Sequence, residues 1–418
     1  MGPISPPPLS AAIRTDAPGA AWDQAVDLAV IGAGAAGCAL AASLRLRGWR
    51  GSLTLLEIGR GPGGRTATRR SRRDPGLAIN HGAPLFNITA QPEPLLLEPL
   101  RQAGWIAPFS GAICSLDGQG RLGSALPDPL CSGQLWQGIT QMDGLCRGLL
   151  ALADQAAPIA LRSSTLVRAL EPKADGQGWI LRGASGEPLL HCHWLVLSGT
   201  LLAHPRCQSV FGWPEVPLQQ AAVQLQEPQL QQAANALAAI PSTASSNLLL
   251  SLDHASAAAW RQQPWRILQF TAAAQQRWGI RRVSLQAMAA GRWSVVVESS
   301  AGFAERRLQV YGSRSSAAQL LGATPEPQAE AEVIEALDRA LQQALGLTTA
   351  ASERQLMRWG AAFPQAPGLP PELSLCPLSH IGFCGDAIAG LGFGRVEGAL
   401  RSAEALAARL LPLLRAAA

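Results

Sequence analysis

The sequence predicts an α/β fold of two units, a doubly wound parallel sheet and a second α+β unit built on a mixed sheet. The length of 418 residues exceeds what one ordinary hydrophobic core holds, which predicts two units. Residues 25–57 have the pattern strand, glycine-rich turn, helix, strand, which is typical of a parallel sheet covered by helices. The apolar runs at 247–254, 265–272 and 292–300 are separated by Ala-rich stretches and predict strands of the second unit.

The first unit begins with a strand, a helix and a second strand. Residues 26–31 form a short apolar run with β-branched side chains, which suits a strand buried on both faces. The Ala- and Leu-rich segment 36–47 favours a helix, and Gly48 and Gly51 bracket the turn that follows it. Residues 52–56 then form the second strand, which completes a βαβ unit.

The turn inside this unit is Gly32-Ala-Gly34-Ala-Ala-Gly37, and it predicts a dinucleotide site of the Rossmann-like type. Gly32 allows the tight turn, Gly34 lets a pyrophosphate approach the backbone, and Gly37 lets the helix pack closely on the strand. The helix begins at Ala36, where free N–H groups and the positive end of the helix dipole favour a phosphate. Glu57 ends the second strand, where a carboxylate accepts hydrogen bonds from ribose hydroxyls, so FAD or NAD is favoured over NADP.

The charge of the chain does not predict a nucleic-acid partner. The formal net charge of +5 is carried almost wholly by arginine, and Lys173 is the only lysine. No helix or zinc-finger signature of a nucleic-acid-binding protein accompanies this charge. The hydrophobic fraction of 48% and the charged fraction of 15% are typical of a globular chain.

Metal, membrane and secretory features are not predicted either. The eight cysteines form no CxxC pair, which predicts reduced thiols in a cytoplasmic protein. Residues 191–193 are His-Cys-His, but neighbouring side chains of a strand point to opposite faces, so no metal site is expected. Residues 26–44 are as long as a membrane span, yet their glycines and strand-then-helix pattern argue against one. Residues 1–24 are Pro- and Ala-rich, do not resemble a signal peptide and predict a disordered extension.

A second glycine-rich stretch, GRGPGGRTATRR at residues 59–70, follows the second strand and therefore lies beside the same dinucleotide. Gly63 and Gly64 let another backbone loop approach the cofactor, and Arg65 offers a fork of donors to phosphate oxygens. The remaining arginines of this region either rim the cofactor, attract an anionic substrate or form a solvated basic turn; they are Arg69, Arg70, Arg72 and Arg73.

Several stretches resemble motifs of the flavin amine oxidase superfamily. The pattern E-x-x-x-G-x-GGR-x-x-T, from Glu57 to Thr68, resembles its second FAD motif. Residues 381–411 are similar to its closing FAD motif, and residues 357–364, MRWGAAFP, resemble the Arg-Trp segment before that motif. With NHGAPLF at 80–86, the chain is more similar to the renalase-like branch. The resemblance implies a bound FAD without a covalent link.

The resemblance is specific over residues 27–89 and 357–411, and it is weak to invisible over 207–350. It implies a division into a disordered extension at 1–24, an FAD-binding domain of 25–95, 140–205 and 370–418, and a substrate domain of 96–139 and 206–369. Residues 141–156 predict a helix after a glycine turn, and residues 193–200 predict a buried strand that ends near the cofactor. In the substrate domain, residues 325–346 predict an amphipathic helix that a glycine ends.

The resemblance also implies which residues contact FAD. Arg65 would contact the pyrophosphate, and Asp386 would bond to the ribityl chain or the pyrophosphate. Val396 would offer its N–H to the flavin C2 carbonyl at the start of a helix over 396–412, whose dipole stabilises negative charge there. Val167 would lie on a strand whose backbone recognises the adenine edge. The implied FAD-binding set, with Gly82 and Ala83 beside the isoalloxazine, is Gly32, Gly34, Ala36, Gly37, Glu57, Gly63, Gly64, Arg65, Gly82, Ala83, Val167, Gly385, Asp386, Arg395 and Val396.

His81, Trp359 and Arg395 are the candidates for the catalytic pocket. His81 is either an active-site polar group or a hydrogen-bonded structural histidine, and Trp359 either forms a pocket wall or packs the domain interface. Arg395 stands where amine oxidases tend to have a tyrosine of an aromatic cage. It either faces the flavin, where it favours an anion over a cationic amine, or caps a carbonyl or pairs with an acid such as Glu397. Lys173 lies in a predicted surface turn, far from the lysine that many amine oxidases place near flavin N5.

The resemblance implies a FAD-dependent oxidoreductase of renalase type. A small neutral or anionic donor, such as a dihydronicotinamide dinucleotide, would pass a hydride to flavin N5, and O2 would take the electrons with release of hydrogen peroxide. Two alternatives stay open. One is an amine oxidase or desaturase that acts on an amine or apolar substrate, and the other is a FAD-binding protein without catalytic function.

Overall fold

The computed structural model describes residues 25–71, 74, 76–252, 254–288 and 291–416. The extension predicted at 1–24, and Arg72 and Arg73 of the basic stretch, lie outside the described residues. The described part of the chain contains one sheet of eight strands, one of seven and two smaller sheets.

The elements are numbered in chain order. The strands are β1 (Val26–Ile31), β2 (Leu53–Leu56), β3 (Thr68–Arg70), β4 (Ala78–Asn80), β5 (Phe86–Ile88), β6 (Ile106–Pro108), β7 (Ile113–Leu116), β8 (Leu122–Ser124), β9 (Gln134–Gly138), β10 (Ala160–Arg162), β11 (Ala169–Pro172), β12 (Trp179–Arg182), β13 (Pro188–Leu197), β14 (Ser242–Leu252), β15 (Ile267–Phe270), β16 (Ile280–Ala287), β17 (Trp293–Ser299), β18 (Ala351–Pro364), β19 (Leu375–Cys376) and β20 (Ile381–Phe383). The helices are α1 (Ala35–Leu46), α2 (Leu97–Gln102), α3 (Gly144–Ala156), α4 (Arg206–Phe211), α5 (Pro217–Leu225), α6 (Pro228–Ala239), α7 (His254–Arg261), α8 (Ala272–Trp278), α9 (Ala301–Glu305), α10 (Ser316–Leu320), α11 (Pro327–Leu345) and α12 (Val396–Ala416).

The eight-stranded sheet has the doubly wound α/β architecture that the sequence predicts. Its strand order is β10-β2-β1-β13-β12-β11, and β20, with β19 beside it, also pairs with β13. The central pairs β1–β2, β1–β13, β2–β10 and β13–β20 are parallel, whereas β11 and β12 add an antiparallel edge. The parallel pairs require crossover connections, and α1 is the crossover between β1 and β2.

Helices cover both faces of this sheet, which explains why its central strands are continuous apolar runs. In β1, Leu28 and Val30 pack in the core that contains α1, α3 and α12, whereas Ala29 packs in the core that contains α5 and α6. Successive residues of a strand face opposite sides, so both sets must be apolar. The predicted strand at 193–200 is the end of β13, and the predicted helix at 141–156 is α3.

A three-stranded sheet in the order β5-β9-β6, together with α2, packs on the same core as α1. Trp105, Trp136 and Leu97 are buried there beside Leu40 of α1. Hydrophobic packing thus joins these residues to the first sheet, although the sequence-based division assigned 96–139 to the substrate domain. The domain boundaries themselves stay a prediction.

The seven-stranded sheet is mixed, as predicted. Its order is β18-β14-β17-β16-β15-β7-β8, in which β15 and β7 are parallel and the other pairs are antiparallel. Trp260 and Trp265 meet edge to face, with ring centroids 6.4 Å apart, in the core on one side of this sheet. The amphipathic helix predicted at 325–346 is α11, and it ends at Gly346, whose φ of 64° is left-handed.

The two large sheets are joined near the hairpin of β3 and β4. Ile79 of β4 packs with Leu249 of β14 and Val296 of β17. The backbone N–H of Asn80 donates to Gln286 of β16, and the Gln286 amide donates back to the Asn80 carbonyl. Arg65 precedes this hairpin in the chain, and His81 follows it.

Three further features concern the described residues only. Among the described residues, no helix is both long enough and apolar enough to cross a bilayer. No group of three or more His, Cys, Asp or Glu side chains among them is arranged to hold a metal ion. All eight cysteines are free thiols.

Candidate functional site

A cavity of about 1350 Å³ lies between the two large sheets. Its lining comes from the turn after β1, residues 56–71, residues 81–87, the connection before β11, strand β18 and the loop before α12. Every site residue predicted from the sequence lines this cavity except Gly37. Residues far apart in the chain therefore come together as one candidate site, although the role of each remains a prediction.

The first glycine turn has the close packing that its sequence requires. Gly32 has a φ of 103°, and its N–H donates to the Leu56 carbonyl at 2.8 Å. A Cβ at Gly37 would lie 2.0 Å from the Gly32 oxygen, so only glycine lets α1 approach the turn. The helix begins at Ala35, one residue before the predicted start, and its N-terminus opens into the cavity. The first N–H groups of a helix lack intrahelical partners, which makes this end suited to a phosphate.

The second glycine loop lies directly against the first. The N–H of Gly63 donates to the Ala33 carbonyl at 2.8 Å. A Cβ at Gly64, whose φ is 52°, would lie 3.2 Å from the Cα of Gly34. The two backbones thus form a cradle without side chains, which is the space that a dinucleotide pyrophosphate needs.

Glu57 ties the two loops together. Its Oε2 accepts the N–H of Ala33 at 2.8 Å, and its Oε1 accepts the N–H of Gly59 at 2.7 Å. Burial raises the pKa of this carboxyl, and the two N–H groups oppose that effect. Each carboxylate oxygen has a second lone pair, so both protein contacts are compatible with the predicted contacts to ribose. The sequence did not reveal this bracing role, because both partners are backbone groups.

Arg65 and Asp386, which the sequence analysis assigned separately to the cofactor, form an ion pair with each other. The guanidinium contacts the two carboxylate oxygens at 2.6 and 2.5 Å and also donates to the Ala362 carbonyl at 3.1 Å. The Arg65 side chain remains 41% exposed at the cavity wall. This bidentate pair fixes the second glycine loop relative to the closing motif. The predicted contact of each side chain with FAD remains a prediction.

His81 and Trp359 stack on each other at the cavity. Their ring centroids are 5.2 Å apart and their planes differ by 6°. The His81 carbonyl accepts from Trp359 Nε1 at 3.2 Å and from the Asn247 amide at 2.9 Å. Both residues line the cavity and also make contacts that stabilise its wall. The interpretation of each as a pocket residue is therefore compatible with the interpretation of each as a structural residue.

The imidazole of His81 is neutral. The residue is only 7% exposed. Burial, assisted by the positive charges of Arg69 and Arg60, lowers the pKa of His81 to about 3. Its Nδ1 is buried and has no hydrogen-bond partner among the described residues. The neutral ring therefore contributes an uncharged surface to the cavity.

Gly82 and Ala83 lie against the second glycine loop. A Cβ at Gly82 would be 2.0 Å from the Arg65 oxygen, and the N–H of Ala83 donates to that same oxygen at 2.8 Å. The motif after β4 is therefore part of the support for Arg65, which the sequence alone did not indicate.

Arg395 pairs with an acid, as one of the two interpretations expects, and it also lines the cavity, so its predicted place beside the flavin stays a prediction. Its Nη2 lies 3.1 Å from Glu397 and 2.9 Å from Thr89 Oγ1, and its side chain is only 12% exposed. Glu397 is fully buried and also accepts from Arg401. Burial raises the pKa of Glu397, but the hydrogen bonds from Thr89 and Arg401 outweigh this effect and hold it below its usual value. Helix α12 begins at Val396, as predicted, and that residue lines the cavity.

The strand predicted at Val167 was wrong in its position. Strand β11 begins at Ala169, and Val167 lies in the extended connection before it. Val167 is buried and lines the cavity, so its predicted place beside the cofactor site is retained. The segment around Val167 has the apolar composition of a strand. A segment becomes a strand only where a neighbouring strand pairs with it by hydrogen bonds.

Arg69 and Arg70 of the basic stretch line the cavity, although Arg70 is also exposed, so the choice between the three interpretations of these arginines stays open. Arg70 forms an ion pair with Asp143 at 2.6 Å, and Arg69 donates to the Arg314 carbonyl at 3.2 Å. Both line the cavity. Lys173, by contrast, lies in the turn between β11 and β12 and does not line it.

Other cavity residues were not predicted. Ser198, at the end of β13, donates to the carbonyls of Ile31 and Gly32 at 3.0 and 2.9 Å and braces the first turn. Asn247 supports His81, and Arg206 and Arg358 add positive charge to the lining. Ser198, Asn247 and Arg206 belong to regions with no recognisable motif, whereas Arg358 lies in the Arg-Trp segment at 357–364, in which no role had been assigned to it.

A sequence profile of the NAD(P)-binding Rossmann-like domain matches residues 30–98. No curated protein matches the chain. Solved structures do match, at 12 to 15% identity. A putative protoporphyrinogen oxidase from Exiguobacterium sp. 255-15 has a TM-score of 0.61 at 12% identity, over 93% of this chain and 99% of that chain. Cyclohexylamine oxidase from Brevibacterium oxydans IH-35A has a TM-score of 0.59 at 15% identity, over 94% and 100% of the two chains.

A triple mutant of putrescine oxidase, from a redesign of cofactor binding, has a TM-score of 0.52 at 14% identity, over 93% and 99% of the two chains. These likenesses extend over nearly the whole of every chain compared. At such low identity they define the fold, which is a Rossmann-like domain combined with a second domain on a mixed sheet.

Proposed function

We propose that this chain is a FAD-dependent oxidoreductase. The observation that supports the proposal best is the contact between the two glycine loops at the N-terminus of α1. Gly63 and Gly64 lie against Ala33 and Gly34, and the cradle opens into the cavity that α12 also enters with its N-terminus. Two backbone loops and two helix N-termini around one cavity suit a ligand with a pyrophosphate and a second electron-rich end.

The residues that line the cavity indicate which of them would hold FAD. The glycine loops would hold the pyrophosphate, Glu57 the ribose and Val167 the adenine, and the N-terminus of α12 at Val396 would face the flavin. When bound, FAD would supply the acceptor for a hydride from the donor. The Arg65–Asp386 pair would hold the second glycine loop in a fixed position relative to the closing motif.

The chain's own residues favour a particular kind of donor. Ten arginines and five acidic residues line the cavity, so its potential is positive and disfavours a cationic amine. Neutral His81 and Trp359, which stack on each other, add no charge to the wall that they form. We therefore propose a renalase-type reaction with a neutral or anionic donor, such as a dihydronicotinamide dinucleotide, and with O2 as the final acceptor.

An amine oxidase is the second candidate. The names of two structural neighbours, cyclohexylamine oxidase and putrescine oxidase, favour it. The lining opposes it, because Arg358 and Arg206 add positive charge to the cavity. A FAD-binding protein without catalytic activity is the remaining alternative.

The cofactor part of the proposal is tested by the FAD content of two glycine variants. Gly64 and Gly186 both have a positive φ, but a Cβ at Gly64 meets the Gly34 backbone whereas a Cβ at Gly186 meets nothing within 4 Å. The flavin absorbance of the purified proteins should therefore fall for Gly64→Val and persist for Gly186→Val. A wild type without bound flavin, or equal flavin in the two variants, would refute the proposed cradle.

The donor is tested by mixing the holoprotein anaerobically with dihydronicotinamide isomers, with NADH and with primary amines. Loss of flavin absorbance with a dihydronicotinamide isomer, followed by its return with hydrogen peroxide on exposure to air, is the expected result. Reduction by amines alone would establish the second candidate. Absence of reduction by any of these compounds would favour the non-catalytic alternative.

A further inference from the structure

The arginines that line the cavity fall into two groups. Five of them have a carboxylate partner; the pairs are Arg65–Asp386, Arg70–Asp143, Arg282–Glu298, Arg314–Glu353 and Arg395–Glu397. Among the described residues, the other five have no such partner; they are Arg60, Arg69, Arg147, Arg206 and Arg358. Arg60 is exposed, but the other four are partly buried, and a guanidinium partly removed from water without a compensating acid is suited to bind an anionic ligand.

Arg206 and Arg358 both line the cavity. Burial, together with the positive charges of Arg65 and Arg358, lowers the pKa of Arg206 to about 10. The one hydrogen bond of the Arg206 guanidinium within the described chain goes to Thr200 Oγ1, at 2.7 Å. Most of its donors are therefore available to the cavity.

Arg358 is held in place by an aromatic ring and not by an acid. Its guanidinium carbon lies 4.5 Å from the ring centroid of Tyr311. Burial lowers the pKa of Arg358, and the neighbouring Tyr311 opposes that effect. The Nε of Arg358 and the Oη of Tyr311 are both buried, and neither has a well-formed hydrogen bond among the described residues. Tyr311 in turn contacts Phe211, at the opposite end of α4 from Arg206, with ring centroids 6.5 Å apart.

We propose that Arg206, Arg358 and Tyr311 form a subsite for an anionic group, a phosphate or carboxylate, of the electron donor. The inference rests on the proposed function, because it names a property of the substrate of the same cavity. It concerns a different place from the glycine cradle. Arg358 belongs to β18 and Tyr311 to the chain between α9 and α10, whereas the cradle is built by the turns after β1 and β2.

The chemistry of the three side chains fits an anion. Two guanidinium groups and a phenol offer several N–H and O–H donors and, among the described residues, have no acid of their own. Guanidinium groups bind carboxylate and phosphate oxygens in pairs. An anion in the cavity would place negative charge beside two guanidinium groups that have no acid partner among the described residues.

The test uses the FAD-loaded protein and isothermal titration at constant ionic strength with inorganic phosphate and, separately, with acetate. Saturable binding of one anion is expected in the wild type. Arg206→Gln and Arg358→Gln should each weaken it by about tenfold to a hundredfold, the effect expected from losing a hydrogen bond to a charged group. Tyr311→Phe, which keeps the ring beneath Arg358, should weaken it less.

Arg121→Gln is the matched control, because its side chain is 75% exposed, pairs with Asp117 and does not line the cavity. It should bind the anion as the wild type does. The stronger of the two probes indicates whether the donor carries a phosphate or a carboxylate. Arg358→Lys keeps the charge but not the paired geometry, so intermediate binding supports a guanidinium-specific contact.

Three results would overturn the subsite. The first is no saturable binding of either anion by the flavin-loaded wild type, which leaves the proposed function intact. The second is loss of FAD from Arg206→Gln and Arg358→Gln, which would assign both arginines to the cofactor. The third is equal anion binding by these variants and the Arg121→Gln control. If the wild type holds no flavin, the proposed function fails separately, and the same titrations of the apoprotein and its variants still decide on the subsite.

Discussion

Gly37→Ala tests the contact that seats α1 on the first glycine turn. The new Cβ would lie 2.0 Å from the carbonyl oxygen of Gly32 and 2.9 Å from Oγ of Ser198. Ordinary contact begins at 3.4 Å, so the helix and the turn must separate by about 1.4 Å, a large movement in a close-packed interior. The obstructing oxygen belongs to the backbone, and therefore no rotation of a side chain relieves the clash.

Two effects of opposite sign contribute to the stability of this variant. Overpacking a well-packed site costs ~1–3 kcal/mol, and an immovable backbone atom favours the upper end of that range. Alanine in place of glycine inside a helix gains ~1 kcal/mol. The expected net loss is about 2 kcal/mol of unfolding free energy, which corresponds to a decrease in Tm of roughly 2 °C for 418 residues that unfold together. FAD affinity should fall as well, because the displaced turn is half of the cradle.

Gly302→Ala is the matched control for this prediction. Gly302 also lies inside a helix, α9, but the nearest atom to a Cβ at this position would be a flexible Arg306 nitrogen at 3.9 Å. This variant should gain up to ~1 kcal/mol and keep its FAD. Thermal unfolding followed by tryptophan fluorescence, with the flavin content measured on the same samples, compares the two variants. A Gly37→Ala protein as stable and as rich in flavin as Gly302→Ala would refute the packing argument.

Three further predictions concern charged groups of the site. Arg65→Ala should lower FAD occupancy, because it leaves the Asp386 carboxylate without its ion pair beside the cradle; flavin absorbance measures this, and Arg121→Ala should have no effect. His81 should contribute an acid-sensitive part of stability. Burial and nearby arginines lower its pKa to about 3, so between that value and 6.5 the unfolded chain binds a proton that the folded chain does not. Stability is thus lost as the pH falls, by about 2 kcal/mol at pH 5, and His81→Gln should remove that part. Glu397→Gln should cost ~3–5 kcal/mol of unfolding free energy in urea unfolding, because it breaks a buried ion-pair network with Arg395.

Each of these predictions has an outcome that contradicts it. Full FAD occupancy in Arg65→Ala would mean that the ion pair does not support the cradle. An unchanged stability difference between pH 7 and pH 5 in His81→Gln would mean that another group carries the acid sensitivity. A loss below about 1 kcal/mol in Glu397→Gln would mean that Arg395 and Arg401 find other partners, and Glu404→Gln, at a partly exposed carboxylate on the same helix, provides the comparison.

The sequence was sufficient for those parts of the site whose cause is local. The spacing of Gly32, Gly34 and Gly37 predicts a turn and a helix start, and the folded chain leaves no room for a Cβ at Gly37. The start of α12 at Val396 could be predicted in the same way, since its motif is short and continuous. Val167 shows the limit of local reasoning, because a residue is in a strand only if a neighbouring strand is there to pair with it.

Contacts between distant segments could not be predicted. Arg65 and Asp386 were each assigned to the cofactor, yet the folded chain pairs them across 321 positions of sequence. The partner of Arg395 was left open, and the folded chain pairs it with Glu397. Arg206 and Tyr311 belong to no motif, and Arg358 belongs to one without an assigned role; that all three line one cavity appears only in the folded chain.

The sequence by itself determined the doubly wound fold, the two glycine loops and the helix starts that face the cavity, because steric limits on the backbone and apolar periodicity act over a few residues. The tertiary structure decided which charges are paired and which remain free for a ligand, because an ion pair depends on distances that only packing sets. One wall of the cavity is a candidate anion site because its arginines are left without a paired acid among the described residues, and not because arginines are numerous.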